Sequence, residues 1–121
     1  MTGIVVAPDG GERLERGPRA HRVLAELPEL EAIELSFGPG FEVPLHTHED
    51  HSDAFYVLEG EAEFLLGDDV VRHAGPGTWV VAPSGTRHGF RNAGPGDLRL
   101  LNVHAPNTGF VEGVRRDRPD R

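Results

Sequence analysis

The sequence contains neither cysteine nor lysine. Without cysteine there are no disulfides, no thiolate metal ligands and no cysteine nucleophile. Because all 12 basic residues are arginine, a Schiff base on the protein and a lysine general base are also excluded. The chemistry of this chain must therefore come from histidine, aspartate, glutamate, tyrosine, arginine or a bound ion.

Long apolar segments are missing as well. No run of 18 apolar residues is present, so no membrane span is expected, and the N-terminus lacks the basic start and apolar stretch of a signal peptide. The net charge of −8 disfavours nucleic acid and anionic membranes as partners. These features predict a cytoplasmic protein of one domain, because 121 residues are enough for a single core but not for two.

Histidines and a carboxylate are spaced as metal ligands are in a β-structure. His46 and His48 lie two residues apart, and Pro44 argues against a helix there. In a strand, such residues share one face about 7 Å apart. Two imidazoles at this spacing can converge on one ion, at about 2.0–2.1 Å per nitrogen. Asp53 follows shortly after, and His88 lies in a second β-rich segment, which makes four candidate ligands.

Two stretches carry a family resemblance. Residues 40–60, GFEVPLHTHEDHSDAFYVLEG, resemble the first cupin motif, and residues 77–92, GTWVVAPSGTRHGFRN, resemble the second. In the first motif Asp53 stands where the pattern has glutamate. The residues that fit the two patterns are Gly40, His46, His48 and Gly60, followed by Gly77, Pro83, Gly85, His88 and Asn92. Finding both motifs in order makes the match specific.

The resemblance implies an all-β fold, a single small antiparallel jelly-roll β-barrel. Short strands separated by Gly/Pro turns favour the same class. The expected barrel domain spans residues 1–112, and residues 113–121 are expected to be a charged, flexible tail. The resemblance also implies a homodimer, with contacts through Ile4–Ala7 and Glu31–Phe37. The predicted strands are Ile4–Ala7, Glu31–Phe37, Phe41–His48, Ala54–Leu58, Glu61–Leu66, Val70–His73, Trp79–Ala82, His88–Asn92 and Leu98–His104; His21–Leu27 is a strand or one helical turn.

One divalent ion per chain is the expected cofactor: iron, manganese, nickel, zinc or copper. Its predicted ligands are His46, His48, His88 and Asp53. Aspartate is one methylene shorter than glutamate, so the alternative is that Asp53 orients a ligand histidine instead. His51 is an alternative ligand or an acid or base at the mouth. The favoured interpretation is a loop residue in water, because polar residues surround it.

Further residues are candidates for the pocket. Alternation along Leu98–His104 puts Asn102 and His104 on one face, either near the ion or, for His104, partly exposed at the strand end. Tyr56 is a possible acid or base. His21 and His73 are predicted to lie on the surface. The predicted pocket lining, drawn mostly from the aromatic core, is Phe55, Phe64, Trp79, Phe90 and Asn92.

Three functions remain open. The first is a metalloenzyme acting on a small oxygenated substrate chelated to the ion, as a dioxygenase, an isomerase or a cyclase. The second is a barrel that binds or senses a small molecule without catalysis. The third is a metal-free, epimerase-like barrel with histidine and tyrosine as acid and base, which needs a close pair such as His88 and Asp53. The fold does not choose among them.

Overall fold

The computed structural model describes residues 3–117, which form ten strands and one helix. None of these residues belongs to a helix long and apolar enough to cross a membrane. The elements are β1 (Arg13–Arg16), β2 (Arg19–Glu26), β3 (Glu31–Phe37), β4 (Glu42–His46), β5 (Ser52–Glu59), β6 (Ala62–Leu66), β7 (Asp69–Ala74), β8 (Trp79–Ala82), β9 (His88–Asn92), β10 (Leu98–Ala105) and α1 (Phe110–Arg116).

The strands make two antiparallel sheets, which confirms the predicted jelly-roll barrel. One sheet has the order β1-β2-β3-β10-β5-β8, and the other has the order β4-β9-β6-β7. Alternate residues of each strand point inward, so the apolar ones meet between the sheets. The core formed there contains Ile33, Leu35, Phe37, Phe55, Val57, Phe64, Val80, Phe90, Leu98 and Leu100.

Two glycines fix local geometry that the barrel needs. Gly67 begins the two-residue turn between β6 and β7 with a φ of 62°, in the left-handed region that glycine adopts without strain. Gly89 lies where β9 passes close to β4, and a Cβ there would come within 2.7 Å of the Val43 carbonyl oxygen. This approach places His46 directly opposite His88 across the two strands.

The N-terminal region differs from the prediction. Ile4–Ala7 is not a strand, and Val5 is 96% exposed, so no buried contact stabilises an extended pairing there. The first strand is β1, where Leu14 is buried and pairs with His21 of β2. Strand β3 lies between β2 and β10, so both its edges are already paired and it offers no edge to a second copy. The homodimer itself stays a prediction.

The C-terminal region also differs from the prediction. Residues 113–116, predicted to begin a flexible tail, belong to helix α1. Val111 and Val114 are buried on one side of this helix, and Arg16 Nε donates a 3.0 Å hydrogen bond to the Val114 carbonyl oxygen. The apolar pair three residues apart supplies the helical face that packs on the barrel. Asp117 caps the end of the helix, and residues 118–121 of the predicted tail lie outside the described residues.

Candidate metal centre

Three imidazoles converge where β4 and β9 meet. His46 ends β4, His48 follows it and His88 begins β9. The ring of His46 lies 4.4 Å from that of His88 and 4.6 Å from that of His48, centroid to centroid. His46 Nδ1 donates to the Pro44 carbonyl at 2.7 Å, and His88 Nδ1 donates to the Thr86 carbonyl at 2.8 Å. Because a carbonyl only accepts, these bonds fix the proton on Nδ1 and leave Nε2 for a ligand.

A buried carboxylate faces these imidazoles. Asp53 Oδ2 lies 3.1 Å from His88 Nε2 and 3.8 Å from His48 Nε2. Its other oxygen, Oδ1, accepts a 2.7 Å hydrogen bond from Asn102 Nδ2. The Asp53 side chain, although one methylene shorter than glutamate, is therefore long enough to approach these histidines. Direct ligation by Asp53 stays a prediction.

The contact between Asp53 and His88 is favourable only with a positive charge between the carboxylate and the imidazole. Burial alone would raise the pKa of Asp53, but the hydrogen bond with His88 and the nearby His104 and Asn102 outweigh it and lower that pKa. Burial works to lower the pKa of His88, but the hydrogen bond and the charge of Asp53, together with the bond to the Thr86 carbonyl, outweigh it and raise that pKa. Because His88 Nδ1 already donates to a carbonyl, its Nε2 can face the carboxylate favourably only with a second proton or a cation.

His48 is held in the form that binds metals. Burial, together with the neighbouring His51 and His46, lowers the pKa of His48 below its ordinary value. A metal ion binds the neutral imidazole, so a lowered pKa reduces competition from protons.

Two more histidines, His51 and His104, also lie close to Asp53. His51 is only 7% exposed, which corrects its interpretation as a loop residue in water. Its ring lies 4.2 Å from that of His48, and its Nδ1 donates to Asp50 Oδ1 at 2.8 Å. His104 is buried too, and its Nε2 lies 3.4 Å from Asp53 Oδ1. Of the two placements predicted for His104, the structure supports the one near the candidate centre.

A buried carboxylate that was not predicted from the sequence lies behind His104. Glu31 is 0% exposed, and its Oε2 accepts from His104 Nδ1 at 3.0 Å. The same carboxylate accepts hydrogen bonds from Thr108, at 2.9 Å from N and 2.6 Å from Oγ1, and from Val111 N at 3.1 Å. The alternation of β3 held the signal, because Glu31 shares the inward face with Ile33, Leu35 and Phe37.

A cavity of about 470 Å³ lies beside this cluster, and its polar lining includes His46, His48, His51, Asp53 and His104. Arg19 of β2 also lines it, and so does His21, which is 3% exposed and hydrogen-bonded to the Leu14 carbonyl. The prediction of His21 as a surface residue was wrong, because β1 and the ring of Phe110 cover it. The apolar wall consists of Leu35, Phe37, Val43, Phe55, Phe90 and Phe110.

Comparison with known proteins identifies the family. The sequence profile of the cupin domain matches residues 33–104, well over half of the chain and all of the candidate ligands. This chain belongs to the cupin family.

Relatives of this cupin differ in activity. It is 33% identical over 115 residues to an oxalate-binding protein of Thermotoga maritima, covering 84% of this chain and 93% of that protein. It is 31% identical over 85 residues to quercetin 2,3-dioxygenase of Bacillus subtilis, covering 67% of this chain but only 25% of the dioxygenase. Among solved structures, KdgF from a Halomonas species superposes with a TM-score of 0.78 at 25% identity, covering 88% of this chain and 97% of that one.

The donor set of this cupin fits a divalent metal ion. One ligand atom from each of His46, His48, Asp53 and His88 lies within 4.8 Å of the others. Imidazole and carboxylate together suit zinc, copper, iron and nickel. The carbonyls behind His46 and His88 hold those rings in the orientation that ligation needs.

Other predicted site residues lie elsewhere in this cupin. Phe55 and Phe90 line the cavity, but Phe64 lies deeper in the core. Trp79 is 54% exposed and Tyr56 is 37% exposed on the outer face, because the inward positions of β8 and β5 are taken by their neighbours. Asn102 lines the cavity, and His73 lies on the surface as predicted.

Asn92 has a structural position rather than a place in the cavity. Its Nδ2 donates to the carbonyls of Gly96 at 2.8 Å and Gly38 at 3.0 Å, and its Oδ1 accepts from Gly94 N at 3.0 Å. These bonds join the end of β9 to two loops. The prediction of Asn92 as pocket lining was therefore wrong, although it shares a strand with His88.

Proposed function

We propose that this cupin is a metal-dependent enzyme that binds a small, oxygen-rich substrate beside a divalent ion, as a dioxygenase, an isomerase or a cyclase. One observation carries the proposal: the ligand atoms of His46, His48, Asp53 and His88 lie within 4.8 Å of one another, and the first three of these residues line a cavity large enough for a small molecule. A bound ion would polarise a carbonyl or hydroxyl oxygen, and iron, manganese or copper would add redox chemistry.

The cavity walls favour a substrate with an anionic end and an apolar body. Among the described residues that line the cavity, Arg19 has the only permanent positive charge. A guanidinium presents parallel donors that match the two oxygens of a carboxylate. The aromatic wall, which includes Phe55 and Phe90, would exclude water from the remainder of the substrate. We therefore expect a small carboxylate held between Arg19 and the ion.

Binding without catalysis is the second candidate. The match to an oxalate-binding protein extends over 93% of that protein, which favours this reading. A binding barrel would use the same ion and the same arginine, so only turnover separates the two. Oxygen consumption, or conversion of a carboxylate followed by mass spectrometry, supports the enzyme. The metal-free alternative has its required pair, His88 and Asp53 at 3.1 Å, and requires activity that survives a chelator.

Metal uptake should depend on pH. Calorimetric titration of chelator-treated protein with Zn²⁺ should show tight binding at about pH 8 and much weaker binding at about pH 5.5, either side of the ordinary imidazole pKa of about 6.5. Because the pKa of His88 is raised, it holds its proton to a higher pH than an ordinary histidine does. Zinc must displace that proton, so affinity should begin to fall while the pH is still above 6.5. Failure to take up Zn²⁺, Mn²⁺, Ni²⁺ or Fe²⁺ at any pH would refute the proposed function.

Arg19 should control the affinity for carboxylates. Oxalate is a suitable probe, and Arg19→Gln should weaken its binding to the metal-loaded protein by about 10–100-fold, since a hydrogen bond to a charged group contributes about 1.5–3 kcal/mol. Zinc affinity should not change, because Arg19 is outside the ligand group. The matched control is Arg72→Gln. Arg72 lies on β7, forms a 2.7 Å ion pair with Glu63 and does not line the cavity. Equal oxalate affinity in both variants would contradict the role of Arg19.

A further inference from the structure

Asp53 belongs to two groups of potential metal ligands. The first contains His46, His48 and His88, and the second contains His51 and His104. The two carboxylate oxygens face different groups. Oδ2 lies 3.1 Å from His88 Nε2, and Oδ1 lies 3.4 Å from His104 Nε2. One aspartate is therefore placed between two clusters of imidazole nitrogens.

The two histidines of the second cluster are hydrogen-bonded through Nδ1, as metal-ligating histidines commonly are. His51 Nδ1 donates to Asp50 at 2.8 Å, and His104 Nδ1 donates to Glu31 at 3.0 Å. Each bond holds the proton on Nδ1 and leaves Nε2 free to bind a cation. A carboxylate behind a ligating imidazole also increases its basicity. Both imidazoles of the second cluster have this carboxylate support, whereas His46 and His88 are held by backbone carbonyls.

The contact between His104 and Asp53 would be satisfied by a cation. With the proton of His104 on Nδ1, the lone pair of Nε2 faces Asp53 Oδ1 at 3.4 Å, so two acceptors oppose each other. Oδ1 already accepts from Asn102 Nδ2 at 2.7 Å, and a carboxylate oxygen has a second lone-pair site for a metal ion. A cation between His51, His104 and Oδ1 would satisfy all three.

We propose that a second divalent cation binds at His51, Asp53 and His104, with the Asp53 carboxylate bridging it to the ion held by His46, His48 and His88. The proposal goes beyond the proposed function, which requires only one ion. Carboxylates compensate the added charge, because Asp50 and Glu31 lie directly behind the new ligands and Asp53 lies between the ions. Paired ions of this kind lie about 3.5–4 Å apart and can hold both oxygens of one bidentate group.

The number of ions per chain tests the proposal. Chelator-treated protein is loaded with excess Co²⁺, passed through a desalting column and measured by elemental analysis, and a calorimetric titration with Co²⁺ is run in parallel. We expect two ions per chain for the wild-type protein and one for His51→Ala. His51→Ala is preferred to a change at His104, because the loss of His104 would also remove one of the hydrogen-bond donors to the buried Glu31 carboxylate. Thermal unfolding verifies that the variant is folded.

Two further variants serve as controls for the number of ions bound per chain. His46→Ala should also retain one ion, because it removes a ligand of the first group only, and His73→Ala should retain two, because His73 is exposed on β7. With Cu²⁺ as the probe, paramagnetic resonance should show magnetic coupling between neighbouring ions in the wild type and none in His51→Ala. A single ion in the wild type would overturn the second site and leave the proposed function intact. Two ions retained in His51→Ala would overturn the ligand assignment, and no ion at all would overturn both proposals.

Discussion

Replacing His88 with alanine is expected to weaken divalent-metal binding by more than about 100-fold and to abolish metal-dependent turnover. Loss of a partner that only orients a ligand typically costs about 10–100-fold in metal affinity, and removal of a ligand should exceed that. His88 is buried, faces Asp53 at 3.1 Å and has its Nδ1 fixed by the Thr86 carbonyl. Calorimetry with Zn²⁺ measures the affinity directly.

Two variants serve as controls for the zinc affinity of His88→Ala. Asn102→Ala removes the 2.7 Å hydrogen bond to Asp53 and a 2.9 Å bond to the Ala54 carbonyl but no predicted ligand, so its effect on zinc affinity should fall in the smaller range of about 10–100-fold. His73→Ala removes an exposed imidazole that pairs with Glu61 and should have no effect. The apolar core keeps the barrel of His88→Ala folded, which circular dichroism verifies. If His88→Ala binds zinc as well as Asn102→Ala does, His88 is not a ligand.

Replacing Glu31 with alanine is expected to lower the free energy of unfolding by about 3–5 kcal/mol, the usual cost of removing one partner from a buried charged network. The change would take their acceptor from four buried or half-buried donors, which are His104 Nδ1, Thr108 N, Thr108 Oγ1 and Val111 N. Helix α1 would also lose its link to β3. Urea unfolding followed by far-ultraviolet circular dichroism gives the magnitude. The matched control, Glu29→Ala, changes an exposed glutamate two residues away and should have little effect.

The contribution of Glu31 to the free energy of unfolding should disappear at acidic pH. Burial works to raise the pKa of Glu31, but hydrogen bonds from Thr108, Val111 and His104 outweigh it and lower the pKa below its ordinary value of 4.5. A carboxyl whose pKa is lowered in the folded state stabilises the protein fully above the unfolded value and loses that effect as the pH falls. The stability difference between the wild type and Glu31→Gln should therefore shrink below about pH 4.5. A constant difference would contradict the role of the ionised carboxylate.

Local sequence patterns were sufficient for the barrel and for the first ligand group. The bounds of β3, β8 and β9 agree with the predicted strands, because each has apolar residues flanked by Gly/Pro turns. The spacing of His46 and His48, together with the second motif around His88, predicts that the three imidazoles share one site. Consequently the four predicted ligands lie together in the structure.

Burial that depends on distant segments was harder to predict. His51 follows polar residues, but its loop is held to the 83–86 turn by bonds from Gly85 N to the His48 carbonyl and from Ser84 Oγ to the Glu49 carbonyl. His21 is covered by α1, a helix that the sequence analysis did not predict. Trp79 and Tyr56 were predicted to lie in the pocket but are on the outer face. The alternation of residues along a strand separates its two faces, but it does not tell which of them packs against the other sheet.

The position of Trp79 has a practical consequence for spectroscopy. It is the only tryptophan in the sequence, and its ring lies 6.1 Å from that of Tyr56 on the outside of the barrel. Its fluorescence therefore reports on the solvent-facing surface of β8 and β5 and not on the cavity. A titration followed by tryptophan emission would stay nearly flat while the cavity fills. Occupancy of the cavity is better followed by heat or by the absorption bands of Co²⁺, and a change in emission would signal a molecule docking on the outer face.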